Sequence, residues 1–202
     1  MRLGILGGTF NPLHIAHLIC AQEAHLQLGL DRVLLIPAAQ SPHKPLDEDD
    51  PGAEHRLAIC RLAVADDPRF EVSPIEVERP GPSYTVDTLE ELHSREPDSE
   101  LYLIVGGDVA AGLPTWREPE RVLSLARLAV AKRRGTARTS IEEALRSLHG
   151  GERTVFFAMP RIGISSTDIR RRVLMREPIK YLVPDAVASY IGQHRLYGGA
   201  TA

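Results

Sequence analysis

The chain has 202 residues, a length that suits one domain able to bury roughly 70% of the surface its unfolded form exposes. Apolar residues make up 43% and charged residues 25%, near the averages of globular proteins, so composition singles out no special class. A net charge of −3 argues against bulk nucleic-acid binding, which leaves a basic excess, and no apolar run nears the ~20 residues that span a bilayer.

Only two cysteines occur, Cys20 and Cys60, each in an apolar helix-like stretch without metal-ligand or paired spacing. They read as reduced, buried thiols. The first residues carry no secretory pattern, so the chain is expected to be cytoplasmic and complete from its first strand, without a membrane partner.

"RLGILG" reads as a first strand, "HIAHLICAQEAHLQLG" as a helix closed by Gly29, and "RVLLIPA" as a second strand. A polar loop with three prolines, "AQSPHKPLDEDDPGA", precedes the helix "EHRLAICRLAVADD" and the strand "FEVSPIEV". There follow the helix "SYTVDTLEELHSR", the strand "LYLIVGG", the helix "EPERVLSLA", the strand "RLAVAKR" and the helix "SIEEALRSLH". The strand "RTVFFAM" and the helices "STDIRRRVLM" and "DAVASYIGQH" complete the series. Strands alternating with helices imply crossover units, hence a Rossmann-like α/β fold with a mostly parallel sheet and helices on both faces, spanning 1–202 as one domain. The last few residues are expected to lie outside it.

Two charged runs stand out. Asp47, Glu48, Asp49 and Asp50 lie among prolines, where a solvated loop is the plain reading and a flap beside a site the other. Lys132, Arg133, Arg134 and Arg138 follow an apolar strand, where the ligand crevices of such sheets open, although a solvated strand end has the same composition.

Chemistry concentrates in "GGTFNPLHIAH". Gly7 and Gly8 end a strand and allow a backbone to approach a ligand closely. The segment is neither a G-x-G-x-x-G turn nor a Walker loop, which disfavours a hydride-transferring dehydrogenase. His14 and His17, three residues apart, share one face of a helix start, where backbone N–H groups and the helix dipole favour anions. Three readings stay open for the pair: helix capping, a shared metal ion for which no third ligand follows, and phosphate chemistry.

A second constellation, "GISSTDIRRR", favours phosphate. Ser165, Ser166 and Thr167 precede a helix, placing hydroxyls and free N–H groups together, and Arg170 lies one turn further in with a forked donor. A plain capping box with a basic exposed face is the structural alternative.

These two stretches resemble the H-x-G-H and ISSTxIR signatures of the nucleotidyltransferase superfamily. Between them "SPHK", "GPSYTVDTLEEL", "GGDVAAGLPTWRE" and "YLVPDAVASYI" resemble, in order, the bacterial nicotinate-nucleotide adenylyltransferases, from about Met1 to Tyr197. The resemblance implies adenylyl transfer from ATP to nicotinate mononucleotide, giving deamido-NAD and pyrophosphate, with magnesium carried by ATP rather than by a protein metal site. It gives catalytic roles to His14, His17, Lys44 and Arg170. ATP contacts would come from Gly8, Thr9, Phe10, His14, His17, Gly106, Asp108, Ile164, Ser165, Ser166, Thr167 and Arg170. Acceptor contacts would come from Tyr84, Thr85, Trp116 and Lys44. One departure is Ala16 where the signature has glycine, a methyl expected on the helix face that adenine approaches. A sister enzyme using nicotinamide mononucleotide or phosphopantetheine, and a non-catalytic nucleotide-binding protein, are the alternatives. A homo-oligomer is compatible with the chain.

Overall fold

The structure, a computed structural model, describes residues 1–42, 49–132 and 138–198. Among them, in chain order, run β1 (Arg2–Gly8), α1 (Ile15–Leu28), β2 (Arg32–Pro37), α2 (Ala53–Val64), β3 (Phe70–Val72), α3 (Ile75–Glu78) and α4 (Thr85–Arg95). Then come β4 (Glu100–Gly106), α5 (Gly107–Ala111), α6 (Pro119–Leu125), β5 (Ala126–Lys132), α7 (Arg138–Leu145), β6 (Val155–Ala158), α8 (Ser166–Leu174) and α9 (Asp185–Gln193).

The strands form one sheet in the order β3-β2-β1-β4-β5-β6, with every neighbouring pair parallel. Side chains alternate between its faces, as a two-residue period requires. Leu6, Val33, Leu35, Tyr102, Ile104, Ala129 and Ala131 pack with residues of α1, α2, α8 and α9. Leu3, Ile5, Leu34, Ile36, Leu101, Leu103, Val105, Leu128 and Val130 pack with residues of α3, α4, α6 and α7. Nearly continuous apolar strands follow from burial on both sides.

Small residues let α1 lie close to the sheet: Ala16, Cys20, Ala21 and Ala24 form its buried stripe. Its end is set by Gly29, whose φ of 60° and ψ of 45° give the left-handed cap, with the Gly29 N–H donating to the carbonyl of His25. The Ala16 methyl is 1% exposed in the core. This corrects the expectation that it faces a nucleotide: the side of α1 bearing it is packed against the sheet.

The strand expected over "FEVSPIEV" stops at Val72. Pro74 has no N–H for a ladder, and its carbonyl instead accepts from Val77 and Glu78, closing one helical turn that buries Ile75. The sequence reading also passed over α5, which is too short for a periodic signal.

In this strand order the chain runs outward from the centre in both directions, and β1 and β4 are the neighbours where the direction switches. Crevices outside the carboxyl ends of such a pair bind ligands in open parallel sheets.

Candidate functional site

Two cavities open at that switch point, one on each side of the β1 and β4 ends. The first, about 440 Å³, is lined by Gly8, Thr9, Ala38, Glu76, Ser83, Thr85, Thr88 and Trp116 among others. The second, about 360 Å³, is lined by His17, Cys20, Gly106, Asp108, Lys132, Arg138 and Phe156 among others. They share Gly7, Ile104, Val105 and Val109. Gly7 is exposed, and a Cβ built on it meets nothing within 4 Å, so the backbone itself forms the partition. Gly8 is different, because a Cβ there lies 3.1 Å from the Phe10 ring. Its missing side chain makes room for Phe10 rather than for a ligand.

Phe10 does not reach either cavity. It is 3% exposed and meets the His17 ring at right angles, with centroids 5.1 Å apart. The ring expected among the ATP contacts is therefore a wedge that orients a histidine. His14 caps α1, and its N–H donates to Nδ1 of His17 at 3.2 Å. A neutral His17 with an accepting Nδ1 carries its proton on Nε2, which fixes the tautomer as an N–H donor on the far side of the ring. The two imidazoles stack with centroids 3.8 Å apart. His14 is buried, while His17 lines the second cavity.

The "ISST" segment folds back onto this turn. The Ser166 hydroxyl donates to the Pro12 carbonyl at 2.9 Å, and Nη1 of Arg170 donates to the Asn11 carbonyl at 2.8 Å. Ser165 caps α8 by accepting the Asp168 N–H, and its hydroxyl donates to the Asp168 carboxylate at 2.6 Å. Two of the hydroxyls expected to meet phosphate are thus committed to structure. Ile164, Ser165, Ser166, Thr167 and Arg170 do not line the two cavities.

Gly106 and Asp108 meet His17 in the second cavity. Gly8, Thr9, Thr85 and Trp116 meet in the first, so the first two lie on the side opposite the expected ATP contacts. Tyr84 adjoins that cavity with the Arg117 guanidinium 4.8 Å over its ring. Lys132 and Arg138 of the basic run reach the second cavity, with Arg138 held by Glu142 and stacked 4.7 Å over Phe156. Lys44, Asp47, Glu48, Arg133 and Arg134 lie outside the described residues.

One arginine carries weight that no motif signalled. Arg56 of α2 is fully buried and donates to the carbonyls of Thr9 at 2.9 Å, of Ala39 at 3.0 Å and of Ala38. It also pairs with the buried Asp50 carboxylate at 3.2 Å, so one guanidinium holds the loops that follow β1 and β2. Asp49 meanwhile pairs with Arg170 at 3.1 Å. The acidic run is therefore not merely solvated: two of its carboxylates orient arginines at the site. In sequence, Arg56 reads as an ordinary helix residue, since its partners are 6 to 47 positions away.

Cys20 and Cys60 are buried and not joined in a disulfide; burial pushes the Cys60 thiol up to about 12, which keeps it unreactive. Among the described residues, no group of three or more His, Cys, Asp or Glu side chains is placed to hold a metal ion, and no helix is long and apolar enough to cross a membrane.

A switch-point crevice divided by a glycine edge, with histidines at one helix start and a serine-capped helix beside it, is the arrangement of a nucleotidyltransferase. The cytidylyltransferase-like family matches residues 5–172. A probable nicotinate-nucleotide adenylyltransferase of Roseiflexus sp. (strain RS-1) is 50% identical over 197 residues, covering 96% of this chain and 97% of the relative. One from Thermus thermophilus is 45% identical, covering 98% of this chain and all of the relative. The fold also matches a Plasmodium falciparum nicotinic acid mononucleotide adenylyltransferase solved with NaAD, at a TM-score of 0.76 and 18% identity over 97% of each chain. The chain belongs to the nicotinate-nucleotide adenylyltransferase family.

Proposed function

We propose that the protein transfers the adenylyl group of ATP to nicotinate mononucleotide, forming deamido-NAD and pyrophosphate as a cytoplasmic step of NAD synthesis. The observation that carries this reading is the pair of cavities meeting at Gly7. A reaction joining two nucleotides through one phosphorus needs two sites that converge on it.

The second cavity takes ATP. Asp108 offers acceptors for ribose hydroxyls and His17 lines the same cavity, while the α8 amides and Arg170, which lie outside it, serve phosphates that extend beyond its edge. Lys44 of "SPHK" adds an ammonium by family resemblance. The first cavity takes the acceptor, with its pyridine against the flat indole of Trp116. Thr85 opens α4, whose amides favour the ring carboxylate.

A phosphate oxygen of the mononucleotide attacks the α-phosphorus in line. As that bond forms, the bond to the bridging oxygen breaks and its electron pair leaves with pyrophosphate. No general base is required, because the attacking phosphate is already ionised. Catalysis rests on positioning and on donors aimed at developing charge. The cleft presents imidazole, amide and guanidinium donors, which suit phosphate oxygens rather than a hard cation. This fits magnesium arriving on the triphosphate, where it neutralises phosphate charge.

The test is to offer magnesium-ATP with nicotinate mononucleotide, nicotinamide mononucleotide or phosphopantetheine and to quantify pyrophosphate and adenylylated product. Turnover is expected chiefly with the acid. Absence of product from it contradicts the proposal, and a preference for either other acceptor moves the assignment to that sister activity.

A further inference from the structure

In the wall of the first cavity stands a carboxylate to which neither the family signatures nor the chemistry above assigns a task. Glu76 of α3 is 8% exposed and lines the cavity. Its Oε1 accepts the Thr88 hydroxyl of α4 at 2.7 Å, and the Ser83 hydroxyl lies near enough to the carboxylate to favour its ionised form. Both hydroxyls are buried. Each is already supplied from behind. Thr88 accepts from Nη2 of Arg79 at 2.7 Å, while Ser83 accepts from the N–H groups of Ala39 at 3.0 Å and Gln40 at 3.4 Å.

A hydroxyl whose oxygen is occupied by N–H donors must send its single hydrogen forward. The Thr88 hydrogen has a second, longer acceptor in the Tyr84 carbonyl at 3.4 Å, so the 2.7 Å bond to Glu76 is the shorter of its two options; the Ser83 hydrogen is left to a neighbouring acceptor, which the Glu76 carboxylate can provide. The Ser83 N–H also donates to the Gln40 carbonyl at 2.8 Å, so this segment is tied to the loop after β2. Together these bonds hold residues 83–85 between two elements.

We propose that Glu76 is a positioning residue for the acceptor: by accepting from Ser83 and Thr88 at once, it fixes the Ser83–Thr85 wall in the shape that binds the pyridine nucleotide. This rests on the reading of the first cavity as the acceptor site. Burial raises the Glu76 carboxyl above its ordinary value, with the two hydroxyls and Arg79 opposing that shift. Such a cost at a buried position is consistent with a task other than stability.

Glu76→Gln keeps the shape and removes double acceptance, since the amide NH₂ confronts an oxygen that already takes N–H donors. It is expected to raise the dissociation constant and KM for nicotinate mononucleotide roughly tenfold, the scale of one charge-assisted hydrogen bond. The values for ATP stay unchanged and kcat stays within about twofold. Binding is read from the fluorescence of Trp116, the protein's only tryptophan, and hydrogen exchange at the Ser83 amide is expected to quicken in the ligand-free variant. Thr88→Val, which removes one chain without a bulky change, is expected to weaken acceptor binding as well, and the double variant to lose less than the sum. Unchanged exchange and acceptor affinity in folded Glu76→Gln overturns the inference, as does an equal loss for ATP and acceptor. Should Glu76→Gln not fold, Thr88→Val with unchanged exchange and affinity overturns it alone. A wild-type protein that ignores all the mononucleotides, with exchange still quickened in the variant, refutes the acceptor reading and not the wall.

Discussion

Arg170 of α8 donates from Nη1 to the carbonyl of Asn11 at 2.8 Å, across 159 positions of sequence. With the Ser166 hydroxyl on Pro12, this bond makes the two signature segments one structure. The turn that carries His14 and His17 is thus braced by α8. Arg170→Lys keeps the charge but loses the fork that serves Asn11 and Asp49 together. We expect kcat/KM for ATP to fall about 10- to 100-fold in steady-state kinetics, with acceptor affinity unaltered.

His17 has a structural use as the acceptor of the His14 N–H, and the proposed function gives it a catalytic one. His17→Ala removes the imidazole that lines the second cavity, and on the proposed mechanism turnover is expected to drop about 10²- to 10³-fold, the range for losing one oriented donor. It also strips the acceptor from the capping His14 N–H, costing about 1 kcal/mol of stability. Isothermal titration with ATP and thermal unfolding separate the two effects.

Gly7→Ala places a methyl on the edge shared by both cavities. Because that Cβ meets nothing within 4 Å, folding is expected to be unchanged while the reacting groups are pushed apart, with kcat reduced more than 10-fold on the general sensitivity to ~1 Å misplacement. Circular dichroism and single-turnover rates check this pair of outcomes.

Arg56 holds the loops after β1 and β2 from within the core. Arg56→Met leaves the Asp50 carboxylate buried without its cation, and unfolding free energy is expected to fall by about 3–5 kcal/mol in urea titration. Adding Asp50→Asn is expected to recover part of that loss.

Glu76 also has a signature in pH. Its folded-state value is raised by burial, so between the unfolded value and that raised value the folded protein holds the proton more tightly. Stability attributable to this group therefore declines as pH rises through that window. Relative to Glu76→Gln, the wild type is expected to lose stability from acid towards neutral pH, measured as the difference in urea midpoints.

Much of this was legible in the residues. Short apolar runs alternating with amphipathic segments gave the α/β order, and the spacing of His14 and His17 brought the two rings together at the start of α1. What local pattern did not carry was partnership at a distance. Pro74 ended a strand that hydrophobicity alone extended. Phe10, expected among the ATP contacts, packs its ring edge-on against His17, and Ala16, expected on a face that adenine approaches, lies in the core. Gly8 and Thr9 line the first cavity, whereas Gly106, Asp108 and His17, expected to contact ATP with them, line the second. Arg56 carried no motif, because its meaning depends on carbonyls of two other loops.

The central claim is that two cavities meeting at Gly7 hold ATP and a pyridine mononucleotide for one direct transfer. Its most direct test uses ATP made chiral at the α-phosphorus with sulfur, with nicotinate mononucleotide as acceptor. The account predicts a dinucleotide carrying the labelled phosphorus with inverted configuration. Retention, which requires two successive displacements through the protein, would contradict it.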